Sequence, residues 1–340
     1  MKTFWEYSLE IEAKRVLHCA HQMVVGFYRI NNFYVLPLNS NNYSSNVVLF
    51  PDLPCTKIPR FWEKTKRIDI TNLPIKTDKR VVEEVKSFLK AQNLRDPNFK
   101  STQNIWNKAS EEIIAEIVRL VPSVKGKIKE IIIYPTILGT STSFNYLKDG
   151  QVILYLREDQ DICSIIEAIL TSITRKGVYQ DLQGTWSESE LLVDWLVTNS
   201  SLAKVLKKYQ AKSNFIPTLK GVRVKQKARI LQESEEFYKR LGLPVSKKVF
   251  SLNGLNPEIY KKPVVNLNPT EKILLKHFIE KENQVVSFDE IADIIFKSDE
   301  EYSLYAIAKK IERLRNKLEE NGISGSYIQT LRGQGYLLKN

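Results

Sequence analysis

The sequence predicts an α+β chain of several domains, in which a mixed α/β region of uncertain fold precedes a small domain of three helices and a β-hairpin. Its 340 residues, 43% hydrophobic and 26% charged, are enough for two or three domains with their own cores. Apolar residues recur at helical spacing near the C terminus, and two glycines divide the last apolar run. These two patterns set the C-terminal residues apart from the rest.

The longest helix of the C-terminal domain is predicted over residues 304–320. Its apolar positions, spaced three or four residues apart as on one helix face, are Leu304, Ile307, Ile311, Leu314 and Leu318. Ser303 can cap its start and Gly322 can end it. The basic residues away from this apolar face are Lys309, Lys310, Arg313 and Lys317. The helix is therefore predicted to carry a basic face away from its buried face.

Two shorter helices and a hairpin complete this domain. Asn268-Pro269-Thr270-Glu271 and Ser287-Phe288-Asp289-Glu290 each place a glutamate three positions after an N-cap residue, which predicts a helix start. Gly333 and Gly335 supply the positive φ angles that a tight reversal needs, so the last residues are predicted to form a β-hairpin. Short strands are expected around VFSLNG and PVVNL. This order of elements is that of a winged helix-turn-helix.

Residues 247–340 resemble the OmpR/PhoB-type winged-helix DNA-binding domain. The motifs that carry the resemblance are NLNPTEKILLKHF for the first helix, KKIERLRNKLEENG for the recognition helix and YIQTLRGQGYLL for the wing. The resemblance implies that Arg313 contacts a base, that Thr330 and Arg332 are wing contacts, and that Tyr336 contacts a phosphate. The lysines beside Arg313 suit phosphates. The chain departs from the family at Tyr305, Ala306 and Glu312, which replace an arginine, a hydroxyl residue and a basic residue.

The net charge of +12 is concentrated in one stretch. Residues 200–263 carry 15 Lys and Arg against 4 Asp and Glu, whereas residues 264–340 carry 11 against 12. We therefore expect a basic helical connector over residues 200–246, in which Lys225 and Lys227 add electrostatic attraction to DNA that the near-neutral domain lacks. The alternative is a solvated linker that only maintains solubility.

We expect residues 1–199 to form an N-terminal α/β domain. They begin helical, become irregular over residues 31–54, and are then predicted to form two helices, two strands and two further helices. No apolar strand ending in paired acids is apparent, so we expect no receiver domain and no direct control by phosphorelay. Residues 130–200 resemble the core of HExxH-type zinc metallopeptidases, but Ile166 and Leu170 occupy the two histidine positions and only Glu167 remains. The alternatives are a non-catalytic relic used for binding and an ordinary α/β domain with a surface glutamate.

No catalytic, metal or cofactor site is predicted. His18 and His21 lie three residues apart but have no third ligand nearby, and Cys19, Cys55 and Cys163 have no paired spacing. The polar stretch 140–143 has no recognisable base partner and is expected to be a loop. No run of residues approaches the length of a membrane span, so we expect a cytoplasmic protein without membrane contact.

The sequence therefore predicts a DNA-binding transcription regulator and not an enzyme. Double-stranded DNA is the expected partner, with RNA polymerase and a second copy of the chain as further candidates. Two alternatives stay open: a hydrolytic N-terminal region that the winged helix only targets to DNA, and a protein-binding adaptor.

Overall fold

Both helices and strands occur in the N-terminal and in the C-terminal part of the described chain. The computed structural model describes residues 2–40, 46–53, 60–145, 147–180, 182, 186–210, 224–243, 248–296 and 303–340, without the side chains of residues 179, 180, 186, 187, 210 and 224–228. The first elements are β1 (Lys2–Trp5), α1 (Leu9–Val24), α2 (Phe27–Ile30), β2 (Tyr34–Pro37), β3 (Val47–Phe50), α3 (Phe61–Lys66), α4 (Lys79–Ala91), α5 (Lys100–Leu120), β4 (Glu130–Thr136), β5 (Thr142–Phe144), β6 (Gln151–Arg157), α6 (Ile162–Gln180), α7 (Trp186–Asn199), α8 (Ser201–Gln210) and α9 (Val224–Arg240). They are followed by β7 (Phe250–Asn253), β8 (Asn256–Ile259), β9 (Lys262–Pro263), α10 (Pro269–Glu280), β10 (Val285–Ser287), α11 (Phe288–Ile295), α12 (Leu304–Glu320), β11 (Ile328–Leu331) and β12 (Gly335–Leu338).

The chain divides into two compact units. Unit 1 consists of residues 1–21 and 33–241, and unit 2 consists of residues 22–32 and 242–340. Helices α8 and α9, which fall in the stretch predicted as a connector, both belong to unit 1. The short segment 22–32 belongs with the C-terminal residues, although it is more than 200 residues away in sequence.

Unit 1 is built on a four-stranded sheet in the order β1-β4-β6-β5. Strands β1, β4 and β6 are parallel, with Lys2 opposite Glu130 and Glu130 opposite Gln151, and β5 is antiparallel to β6. Strands β4 and β6 are rich in Ile, Leu and Val, as expected for strands covered by helices. Residues of α5, α6, α7 and α8 complete the core against them, with Trp106 of α5 fully buried.

Four of the described strands of unit 1 differ from the sequence expectation. The stretch expected to be irregular contains β2 and β3, which pair in parallel with Tyr34 opposite Val47. All four residues of β3 are buried, so an alternating pattern that would have identified it is missing. Strand β1 precedes the expected first helix, and the stretch 140–143, expected to be a loop, contributes to β5. Each of these strands has only three or four residues, too few to show a period.

A buried charged network follows the end of β4. Glu12 on α1 is fully buried, and its carboxylate accepts the backbone N–H groups of Ile137 and Leu138, the latter at 2.8 Å. Burial is the main reason that the pKa of Glu12 is raised to about 7. Arg15, one turn further along α1, donates to Thr140 Oγ1 at 2.7 Å and to Ser143 Oγ at 2.7 Å. The polar stretch 140–143 thus joins α1 to the sheet.

Unit 2 has the three helices and the hairpin in the predicted order, whereas β8 and β10 were not predicted and the strand expected around PVVNL ends at Pro263. Helices α10, α11 and α12 pack with an antiparallel sheet in the order β10-β12-β11, and β7, β8 and β9 form a second antiparallel sheet. Asn268 and Ser287 form complete capping boxes with Glu271 and Glu290, which confirms both predicted helix starts. Among the described helices of either unit, none has the length and apolar character needed to cross a bilayer.

Candidate nucleic-acid interface

Helix α12 is the centre of the candidate interface. It spans residues 304–320 as predicted, and the Ser303 hydroxyl caps it by accepting the Ala306 N–H at 3.2 Å. Four side chains on one face are fully buried in the core of unit 2: Ile307, Ile311, Leu314 and Leu318. The hydrophobic stripe therefore fixes which face of the helix remains available to a ligand.

The four basic residues of α12 that were predicted to contact DNA divide into two groups. Lys309 and Arg313 are exposed, whereas Lys310 and Lys317 are half-buried. Lys309 donates to Glu312 at 2.7 Å, and this hydrogen bond raises the pKa of the lysine. Lys317 donates to Glu320 at 2.8 Å with the same effect on its pKa. The guanidinium of Arg313 is thus exposed on this face. Its neighbour Lys309 already donates a hydrogen bond to the carboxylate of Glu312.

The wing is the hairpin β11–β12. Gly333 has a φ of 71° and Gly335 a φ of 143°, which confirms the predicted positive angles. Gly335 also lies against β10, because a Cβ at this position would be 2.0 Å from the carbonyl oxygen of Val286. Arg332 is exposed in the turn. The hairpin therefore presents its arginine at the tip while its base pairs with β10.

Arg315 connects the recognition helix to the wing, a role that the sequence did not predict. Its Nε and Nη2 atoms donate to the carbonyl oxygen of Ile328 at 2.9 and 2.7 Å, and Nη2 also donates to Thr330 Oγ1 at 2.9 Å. Thr330, predicted as a wing contact to DNA, thus already accepts a hydrogen bond from the protein. No sequence spacing signals this contact, because the partners lie on different elements.

Tyr336 and the start of α12 complete the surface. Tyr336 is only 5% exposed and packs edge-to-face on Phe288, with 5.8 Å between ring centroids. Its predicted phosphate contact stays a prediction. Leu304 and Tyr305 are 53% and 63% exposed, so large apolar side chains open the recognition helix. Apolar side chains can contact the methyl group of thymine in the major groove.

The side chains of Lys225 and Lys227 lie outside the described residues, although the backbone of α9 is described from Val224. Arg229, the next basic residue of this helix, pairs with Glu233 at 2.9 Å. The expected role of the two lysines therefore stays a prediction.

Unit 1 does not offer the ligands of a zinc site at the position that the metallopeptidase resemblance indicates. Ile166 and Leu170 are fully buried in the apolar core. Glu167 is half-buried, and burial followed by the charges of nearby acids raises its pKa to about 7. Within the described parts of the chain, no group of three or more His, Cys, Asp or Glu side chains could hold a metal. The two apolar side chains at these positions therefore do not fit zinc.

The two N-terminal histidines have separate surroundings. His18 is buried with Arg15 Nη1 3.4 Å from its Nδ1, and burial lowers its pKa well below the usual value. His21 Nδ1 lies 2.9 Å from the carbonyl oxygen of Thr65, and burial also lowers its pKa. Both imidazoles are therefore held by contacts within the protein.

Comparison with known proteins gives matches to the C-terminal part of the chain. Residues 261–338 match the family model for the C-terminal domain of transcriptional regulatory proteins. The chain is 33% identical over 75 residues to the sensory transduction protein BceR of Halalkalibacterium halodurans, covering 22% of this chain and 32% of the relative. It is 35% identical over 78 residues to BceR of Bacillus subtilis, covering 23% and 33%. The chain thus spans about a third of the length of these relatives.

A solved structure also matches. It is the crystal structure of the DNA-binding domain of the response regulator AdeR in complex with an intercistronic region, which is 27% identical. The match covers 28% of this chain and 98% of that domain, with a TM-score of 0.25. Residues 261–338, which contain the three helices and the wing described above, are a transcriptional regulatory C-terminal domain of the OmpR/PhoB type.

Proposed function

We propose that this protein is a transcription regulator that binds double-stranded DNA through unit 2. One observation carries the proposal: α12 buries one face completely and exposes Lys309 and Arg313 on another, while Arg315 attaches this helix to the wing that carries Arg332. A helix of this kind fits the major groove of DNA, and an arginine at a wing tip fits a narrow minor groove.

The proposed contacts follow the chemistry of each side chain. Arg313 can pair with a guanine edge through two parallel hydrogen bonds, and Tyr305 can contact a thymine methyl group. The side chains proposed to contact phosphates are Lys309, Lys310, Lys317 and Tyr336. Thr330 and Arg332 are the proposed DNA contacts of the wing. Because residues 264–340 carry almost no net charge, we assign the long-range attraction to Lys225 and Lys227 in the basic stretch.

We assign control of DNA binding to the N-terminal residues. They sense a signal or recruit a partner, for which RNA polymerase and a second copy of the chain are the candidates, and the protein acts in the cytoplasm. The alternative of a zinc hydrolase is not supported, because Ile166 and Leu170 have no atom that can bind the metal.

The test is selection of bound sequences from a random duplex pool by the full-length protein, followed by binding curves at two salt concentrations. We expect enrichment of a defined motif and an affinity that falls steeply with salt. A repeated half-site in the selected sequences would indicate two copies on the DNA. If the protein binds no duplex even at low salt, the proposal is wrong and a protein-binding adaptor is the better explanation.

A further inference from the structure

Segment 22–32 is part of unit 2 although it is remote from it in sequence. The carbonyl oxygen of Val25 accepts the N–H of Ser324 at 2.8 Å, and Lys339 Nζ lies 3.4 Å from the carbonyl oxygen of Ile30. Ile30 is 6% exposed and lies in the same hydrophobic cluster as the buried face of α12. The segment thus contributes both hydrogen bonds and core packing. It lies outside residues 261–338, which match the domain family.

Gly26 shows how closely the segment fits. Its φ is +79°, and a Cβ added there would be 2.6 Å from the hydroxyl oxygen of Tyr327. Tyr327 cannot easily move aside, because it is 3% exposed, packs edge-to-face on Phe250 and is hydrogen-bonded to Tyr260. Glycine therefore satisfies two conditions at once: the left-handed backbone and the close approach to the tyrosine ring.

The segment contacts the place where the recognition helix leads into the wing. We call residues 323–328 the helix–wing joint: they follow α12, contain the short 3-10 helix Gly325–Tyr327 and end at the first residue of β11. Ser324 and Tyr327, which contact the segment, both lie in this joint. Arg315 fixes the other side of the joint through the carbonyl oxygen of Ile328. The relative position of helix and wing therefore depends on residues that the segment holds.

We propose that docking of segment 22–32 on the helix–wing joint sets the affinity of unit 2 for DNA, so that the N-terminal part of the chain controls DNA binding through this segment. The inference rests on the proposed function. A winged helix engages DNA with its helix and its wing together, so a joint that keeps both in one arrangement removes the ordering cost from the binding step. Release of the segment removes a hydrogen bond and core packing from the joint and lowers the affinity.

The test compares two glycine variants of the full-length protein. Gly26→Ala introduces a methyl group against Tyr327, whereas Gly254→Ala, also in unit 2 and also at a positive φ of +60°, places its methyl group in open space. The two substitutions impose similar backbone strain, so their difference measures the contact with the joint. Ile30→Ala is the second test variant, because it removes core packing without changing a glycine.

The readouts are hydrogen exchange by mass spectrometry and DNA affinity on a selected site. For Gly26→Ala and Ile30→Ala we expect loss of protection in segment 22–32 and in residues 323–331, and an affinity lowered within the range of about 5- to 150-fold that is usual for coupled sites. Gly254→Ala should leave both unchanged. Loss of protection in the segment with unchanged affinity would overturn the inference. A wild-type protein that binds no DNA would instead overturn the proposed function.

Discussion

Arg313 and Arg315 are two positions apart on α12 and have opposite surroundings. Arg313 is exposed on the face that we assign to the major groove, whereas Arg315 is half-buried and donates to Ile328 and Thr330. Two residues correspond to about 200° of helix rotation, so the two side chains leave the helix on different sides. We therefore expect Arg313 to act in reading DNA and Arg315 to act in positioning the wing.

Substitution of Arg313 tests base reading. Arg313→Ala should cost about 1–3 kcal/mol on the selected sequence and far less on scrambled DNA, because the variant cannot form a bidentate pair with a guanine edge. Binding curves on the two duplexes measure the difference. Arg80→Ala, which removes an exposed arginine from α4 of unit 1, is the matched control for loss of charge. Equal weakening on both duplexes would place α12 on the DNA backbone.

Because the pKa of Glu12 is raised, we expect the stability of the folded protein to depend on pH. Burial raises the pKa of Glu12 to about 7, and the negative charge of Glu158 contributes to this increase. The hydrogen bonds from Leu138 and Ile137 and the positive charge of Arg15 act in the opposite direction. Since the folded state keeps this proton up to about pH 7 and the unfolded state loses it near pH 4.5, stability falls as the pH rises through this window. At about 1.36 kcal/mol for each pKa unit, the loss is about 3 kcal/mol.

The measurement is urea unfolding of the wild type and of Glu12→Gln between pH 4.5 and pH 8. Glutamine has no proton to lose, so the variant should lose less stability over this range than the wild type. Some pH dependence should remain, because the pKa of Glu167 is also raised to about 7. Glu10→Gln on the same helix is the control, since Lys14 lowers the pKa of Glu10 and moves its effect below this window. Parallel pH profiles for wild type and Glu12→Gln would contradict the assignment.

At the scale of elements, the wing depends on its contact with β10. Gly335→Ala would place a methyl group 2.0 Å from the carbonyl oxygen of Val286. Because this oxygen belongs to the backbone of β10, the clash can be relieved only if β10 and β12 separate. Gly333→Ala, with a φ of +71° and open space around it, adds conformational strain alone. We expect a cost of about 1–2 kcal/mol for Gly333→Ala from the left-handed backbone. The cost for Gly335→Ala should exceed about 3 kcal/mol, because overpacking adds to the strain.

Chemical denaturation of both variants gives these free energies, and hydrogen exchange of Val285–Ser287 locates the damage. Protection of β10 should be lost in Gly335→Ala and kept in Gly333→Ala. If the two variants are equally stable, the wing can leave β10 at little cost and the described pairing does not hold it.

Elements differ in how well their sequence predicts them. The starts of α10 and α11 were predictable because capping is a local interaction, between Asn268 and Glu271 and between Ser287 and Glu290. Helix α12 was predictable because its 17 residues show the helical period several times. Strands β2 and β3 were not, because each has four residues and gains its stability from pairing with the other.

At the scale of the whole molecule, charge is unevenly distributed along the chain. Lys225 and Lys227 lie in the stretch that carries almost all the excess positive charge. Changing both to alanine should weaken binding to every duplex by a similar factor and reduce the slope of log affinity against log salt, by up to about 0.9 for each phosphate that is no longer neutralised. Binding at several salt concentrations measures the slope. Lys125 and Lys127, exposed in unit 1 at the same spacing, provide the matched double variant. Equal slopes for the two double variants would show that the basic stretch does not contribute to DNA binding.

The candidate site was predictable in part for similar reasons. Arg313 and Lys309 could be assigned to the exposed face of α12 because the position of Ile307, Ile311 and Leu314 fixes the opposite, buried face. Arg315 could not be assigned, because its partners lie on β11 and a hydrogen bond across elements leaves no pattern in the sequence. The half-burial of Lys310 likewise depends on what packs beside the helix.

The sequence by itself determined the C-terminal elements, their order and the basic character of the recognition helix, since capping, helical period and turn glycines act between residues close in the chain. Tertiary structure alone decided that segment 22–32 belongs to the DNA-binding unit, that Arg315 joins helix and wing, and that Glu12 is buried with a raised pKa. Each of these depends on contacts between different elements of the fold. Contacts between elements form only once the chain has folded, so they leave no periodic pattern in the local sequence.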